Sequence, residues 1–266
     1  MEFTELDKKQ LQVAKCLLEN PGLAARITNL VGVPIEKGFE LLPDKWNQNI
    51  GEVTRTALMK AADAAIFTMK DIPGEESSNI WHKLGVATSG GMGGFFGLAG
   101  IAVELPFSTS IMLRSIADVA RSEGESISSI HTKMACLEVF ALGGKSESDD
   151  SVESGYYAVR YLLANSVTEA TEFIIQKGFS KDAAPALIKF ITKVAERFGV
   201  QVTQKAAAQA IPAIGAVGGA VINTLFIDHF QDMARGHFIV RKLERSYGKE
   251  QVKNLYESLP TIDQQG

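Results

Sequence analysis

The stretch "GAVGGAVINTLFIDHFQDMARGHFIVRKLERSY", Gly215 to Tyr247, decides the fold. On a helix, Gly215, Gly219, Ile222, Phe226, His229, Met233, Gly236, Val240 and Leu243 recur at spacings of four and three in strict alternation. They form one stripe along a helix of about eight turns. A strand would send alternate residues of this run to opposite faces and scatter the stripe. The stretch therefore predicts one long helix from about Ala213 to Tyr247 with an apolar face turned inward.

The same helix changes character along its length. No side chain ionises from Ala206 to Ile227, and charges crowd in from Asp228 onward. A second uncharged stretch, "LGVATSGGMGGFFGLAGIAV", occupies Leu84 to Val103. Twenty helical residues reach about 30 Å, roughly a hydrocarbon core, so length alone permits membrane insertion. Half of this second stretch is small or glycine, and glycine costs about 1 kcal/mol per residue in a helix relative to alanine. Close packing or membrane contact offsets that cost. Gly90, Gly93, Gly94 and Gly97 on one segment, and Gly215, Gly218 and Gly219 on the other, are the candidate contact residues. The expectation is two antiparallel glycine-rich helices packed together at the centre of the molecule.

Helical periodicity runs through the remaining sequence, and strand alternation is nearly absent. Leu11, Ala14 and Leu18 mark a first helix; Leu23, Ile27, Leu30 and Val31 a second; Ile35, Phe39 and Leu42 a short third. Ile50, Val53, Ala57, Ala61, Ala64 and Thr68 mark a fourth that begins at Trp46. Pro106 suits the first turn of a new helix that Gly124 stops. Further helices are expected from about Ser128 to Leu142, Val152 to Lys177, up to Gly199, and in a shorter piece from Gln201 to Ala210. The fold class is all-α: a single-domain bundle of eight to ten helices with two Gly/Ala-rich central ones.

Bulk properties exclude several classes. The 266 residues carry a net charge of -4 with no basic run, which gives no footprint for nucleic acid. Two distant cysteines, Cys16 and Cys136, make neither a disulfide framework nor a metal knuckle and fit a reducing compartment. The N-terminal twenty residues alternate charge with leucine and lack the apolar core of a secretory signal, so a cytoplasmic protein is expected.

Three motif fragments fail on context. "GGKS" at Gly143 to Ser146 lacks the upstream glycine and strand of a phosphate loop. "ATSGG" at Ala87 to Gly91 lacks the strand that would force Ser89 into the open as a nucleophile. Gly91, Gly93 and Gly97 are misspaced for a dinucleotide fingerprint. No cofactor motif is found.

Candidate chemistry rests on isolated side chains. His229 sits mid-stripe with Asp232 one turn on, a weak pair of metal ligands that Glu104 or Asp118 from the first glycine-rich unit would have to complete. His237 lies at the edge of the stripe. Glu104, two residues before Pro106, suits a helix N-terminus; the sharper alternative pairs it with Arg114 across an interior site. Arg114, Asp118, Arg121 and Glu125 share one face and suit a solvated row of ion pairs.

Two blocks, "GGMGGFFGLAGIAVELPFSTSIMLRSIADVARSEGE" and "IPAIGAVGGAVINTLFIDHFQDMARGHFIVRKLERSYG", resemble the bacterial EcsC family. In that family a glycine-rich segment leads to an acidic residue, a proline and a Leu-Arg motif, here Glu104, Pro106, Leu113, Arg114, Ile116 and Ala117. The resemblance spans roughly residues 45–250, leaving 1–44 as N-terminal helices and 251–266 as a C-terminal helix and tail. It implies a bacterial helical protein of undefined biochemistry, whose namesake is encoded beside an ABC transporter linked to secretion. Some relatives carry peptidase labels, and no family catalytic site carries over. Three functions are expected in turn: a non-enzymatic accessory protein contacting a protein partner or the inner-membrane surface; a metal-assisted hydrolase using His229, Asp232 and Glu104; and a lipid or acyl-chain binding protein.

Overall fold

A computed structural model describes residues 2–19, 22–68, 97–143, 155–177, 185–211 and 215–260. Among these residues there is no strand. The helices are α1 (Glu5–Glu19), α2 (Leu23–Val31), α3 (Glu36–Phe39), α4 (Trp46–Thr68), α5 (Gly97–Ser122), α6 (Ile130–Glu138), α7 (Tyr156–Lys177), α8 (Pro185–Ala210), α9 (Gly215–Tyr247) and α10 (Lys249–Ser258), with a 3-10 turn at Val139–Ala141. The all-α expectation and the helix number both hold.

α9 is the axis of the bundle, touched by α1, α2, α5, α8 and α10. The inward stripe is buried from Gly219 to Leu243. Ile227, Phe230, Ala234 and Phe238 are buried too, so the helix is covered on most sides. Phe140, Phe198, Phe226 and Phe230 interlock against it with ring centroids 4.9 to 6.1 Å apart. Such edge-on packing adds to the area each ring buries.

Long-range contacts fix the direction of each helix. Gln231 donates to Ser115 Oγ at 2.7 Å, and Arg241 Nε to Glu125 Oε1 at 2.9 Å. Residue numbers rise together on both sides, so α5 and α9 run parallel; the first glycine-rich segment up to residue 96, expected to pack antiparallel on the second, lies outside the described residues. Antiparallel neighbours follow from short connections; here α6, α7 and α8 intervene and return the chain to the same end. α8 runs the other way along α9, with Lys205 beside Phe226 and Phe198 beside Phe230. α1 is likewise antiparallel: Phe3 stacks on Tyr247, and Ala14 and Leu18 lie against Gly236. A Cβ on Gly236 would sit 2.6 Å from Leu18 Cγ, so this glycine sets the spacing of α1 and α9. α4 lies antiparallel to α8, with Trp46 Nε1 donating to Thr203 at 2.9 Å and Thr54 packed at Ala195 and Gly199.

Two sequence boundaries move. Pro106 does not start a helix; it lies inside α5, which runs continuously from Gly97. The proline removes one N–H from the backbone ladder, and the uncharged turns before it stay helical. Gly199 does not end a helix either. α8 passes through it to Ala210, where the glycine faces Ile50 and Thr54 of α4. The stop at Gly124 is as expected: its φ of 82° is left-handed, and Glu125 N–H bonds back to Ala120 O at 3.0 Å. Gly90, Gly93, Gly94 and the acidic stretch 145–154 lie outside the described residues. Gly97 and Gly215 stand in the first turns of α5 and α9, Gly218 is half-buried and Gly219 buried.

Candidate functional site

The last turns of α8 and the first third of α5 share a buried ion pair beside the start of α9. Lys205 reaches Glu104 with Nζ 2.9 and 3.1 Å from the two carboxylate oxygens, and Nζ also lies 5.0 Å from the Phe226 ring. The lysine is fully buried. Glu104 is thus not at a helix N-terminus, nor does it pair with Arg114, which is exposed some ten residues further along α5. Lys205 itself escaped the sequence reading. Its signal was a charge on the inward face of α8, at helical spacing from Phe198 and Gln201.

Between Gly97 and Val103 in α5, and between Gly215 and Ile227 in α9, no side chain ionises. Because the helices run parallel, both uncharged starts lie at one end of the bundle. Phe107 and Val221, 58% and 41% exposed, are about one turn apart in level. Leu30, Phe39 and Leu41 are exposed at the same end, because Gly38 packs directly on the Ala207 backbone near the end of α8. Glu36 and Lys37 of α3 and the following Glu40 are exposed as well.

Midway along α9, His229 is sealed. Gly143 lies over its ring together with Met233: a Cβ there would come within 2.7 Å of His229 Nε2. That nitrogen has no hydrogen-bond partner among the described residues. Burial, with Arg26 nearby, holds the imidazole neutral, its pKa pushed down to about 3. Asp232 does not face His229; it takes a 2.7 Å hydrogen bond from Arg26. Arg26, Asn29 and Leu30 of α2 and Leu225, Asp228, Gln231, Asp232 and Arg235 of α9 line an open groove of about 680 Å³.

The far end of α9 holds a dense polar cluster. Tyr156 OH lies 2.9 Å from His237 Nδ1, and burial keeps that histidine neutral. Arg160 grips Glu244 with two nitrogens at 2.6 and 3.0 Å, and Tyr157 leans on the same carboxylate. Glu138 is buried beside Arg160, Arg241 and Glu244; desolvation wins over the two cations and raises its pKa to about 7. Glu125, expected on a solvated face, lies past the end of α5 and accepts from Arg241, Arg245 and Thr132. Asp118 and Arg121 do form the expected helical ion pair, at 3.2 Å.

The six candidate residues therefore do not converge. Glu104 belongs to the start of the bundle, His229 and Asp232 to its middle with different neighbours, His237 to its far end, and Arg114 and Asp118 to the later turns of α5. Among the described residues no three His, Cys, Asp or Glu side chains are grouped to hold a metal. No described helix is long and apolar enough to cross a membrane.

No curated protein and no solved structure matches the chain. The model of the EcsC protein family matches residues 6–243, a span that takes in α1 to α3 as well as the two glycine-rich blocks. With its signature residues Glu104, Pro106 and Leu113 carried on α5 and its second block on α9, the chain belongs to the EcsC protein family.

Proposed function

We propose that the protein is a non-enzymatic interaction protein that docks, end-on and peripherally, against the inner-membrane surface. The observation that supports this is the parallel course of α5 and α9, which gathers both uncharged helix starts and the exposed Phe107, Val221, Leu30, Phe39 and Leu41 at one end. A mixed bundle that exposes several large apolar groups together presents a contact surface. Its chemistry suits a lipid interface, where each inserted aromatic or aliphatic side chain contributes about 1–2 kcal/mol. The Lys205–Glu104 pair, which joins α8 to α5 beside these turns, is internal to the protein. A surface beside a transport system fits a family whose namesake is encoded next to an ABC transporter.

Vesicle co-sedimentation tests the reading. The protein should pellet with phosphatidylethanolamine/phosphatidylglycerol vesicles. Phe107→Glu combined with Val221→Glu should lower the bound fraction at least about ten-fold while leaving the thermal midpoint in place, since both side chains are exposed. A wild-type protein that stays in the supernatant with every vesicle composition sinks the proposal.

A further inference from the structure

We infer that the groove between α2 and α9 binds one anionic amphiphile, a carboxylate or phosphate head bearing a single alkyl chain. The groove is graded along its length. Leu225 and Leu30 form its apolar part, while Arg26, Asn29, Gln231, Asp232 and Arg235 form its polar part. Its volume of about 680 Å³ lies within the range of sites for small organic ligands.

The charges select the head group. Asp232 is already neutralised by Arg26 at 2.7 Å. Arg235, by contrast, is exposed and makes no ion pair among the described residues. A guanidinium with its fork unoccupied, within one groove of the Asn29 amide and the second Arg26 nitrogen, matches a carboxylate or phosphate. Asp228 lies between the polar and apolar parts of the groove. The chain then runs over Leu225 and Leu30 toward the apolar end of the bundle. The head is held by the arginines while the chain supplies most of the buried area.

This site shares Leu30 with the docking surface, but Phe107 and Val221 do not line it, and Arg235 lies outside that surface. The two readings can therefore fail separately.

Titrations below the critical micelle concentration decide the matter, using dodecyl phosphate, dodecanoate, dodecanol and inorganic phosphate, with native mass spectrometry for stoichiometry. Dodecyl phosphate or dodecanoate should bind once per chain, and the Phe107/Val221 double variant should bind it equally well. Arg235→Glu and Leu30→Asp, both at exposed positions, should each weaken binding at least about ten-fold without moving the thermal midpoint. Inorganic phosphate binding as tightly as dodecyl phosphate would reveal a free-anion site and overturn the amphiphile. Dodecanol binding as tightly would overturn the anionic head. Failure of every probe, or unchanged affinity in Arg235→Glu, removes the site altogether.

Discussion

The two ends of α9 handle charge in opposite ways. At its start, where α5 runs alongside, the first turns of both helices carry no ionisable side chain, and Lys205 of the neighbouring α8 is paired in the interior with Glu104 of α5. At its far end, His237, Arg241 and Glu244 of α9 meet Tyr156, Tyr157, Arg160 and Glu138 in a cluster where most charges have more than one neighbour. One helix thus carries an end stripped of charge and an end crowded with it. The difference teaches where function and where stability reside. A lone buried pair has no reserve, whereas a cluster spreads its load.

The largest test is at the lone pair. Lys205→Met should destabilise the fold by about 3–5 kcal/mol in denaturant titration, because Glu104 is left buried without a counter-charge. Adding Glu104→Leu should recover most of that loss. A single variant as stable as wild type would show that the pair is solvated after all, and the contrast between the ends would collapse.

The next test is at the crowded end. Glu138 has its pKa raised from 4.5 to about 7, so the folded state holds this proton more tightly than the unfolded state. Its stabilising contribution is complete below pH 4.5 and is lost as pH rises to about 7, a change of about 3 kcal/mol. His229 acts in the opposite sense. Its depressed pKa favours the fold above its ordinary value of 6.5, and that stability is lost as pH falls toward about 3. The two limbs overlap, so the measurement is a difference: wild-type minus Glu138→Gln stability should fall steadily from pH 4.5 to 7. A flat difference would mean that the cluster already neutralises Glu138.

The smallest effect is expected between the ends, at Gly236→Ala. The new methyl meets Leu18 and the Ala14 carbonyl, so α1 must shift, at about 1–3 kcal/mol. Hydrogen exchange should accelerate in α1 and leave the stripped end unchanged.

Much of the scaffold was legible in the sequence. The four-three spacing of α9 is a property of one helix, and it placed the inward residues from Gly219 to Leu243 correctly. Directions and partners were not legible, because they depend on residues far apart in the chain. Arg26 with Asp232, Arg160 with Glu244 and Lys205 with Glu104 join different helices, and no local period encodes such pairs. Lys205 shows the limit clearly. A lysine reads as solvated unless its helix face is known to be covered, and here α5 and α9 meet it with Glu104 and Phe226. His229 was rightly placed on the stripe, but the sequence linked it to Asp232 by proximity along the helix. The side chain of Asp232 instead leaves on the groove side, where Arg26 waits.

The antiparallel docking of α1 on α9 also bears on how the chain assembles. Asp7 meets Tyr247 across 240 positions, and Ser115 meets Gln231 across 116. During synthesis the apolar faces of α1 and α5 emerge long before the helix that covers them exists. Contacts this distant close large loops before any packing is gained, which slows folding and lengthens the time apolar surface stays open. The axis of the bundle follows α1 to α8 in the chain, so the nascent chain must be held from self-association until α9 has left the ribosome.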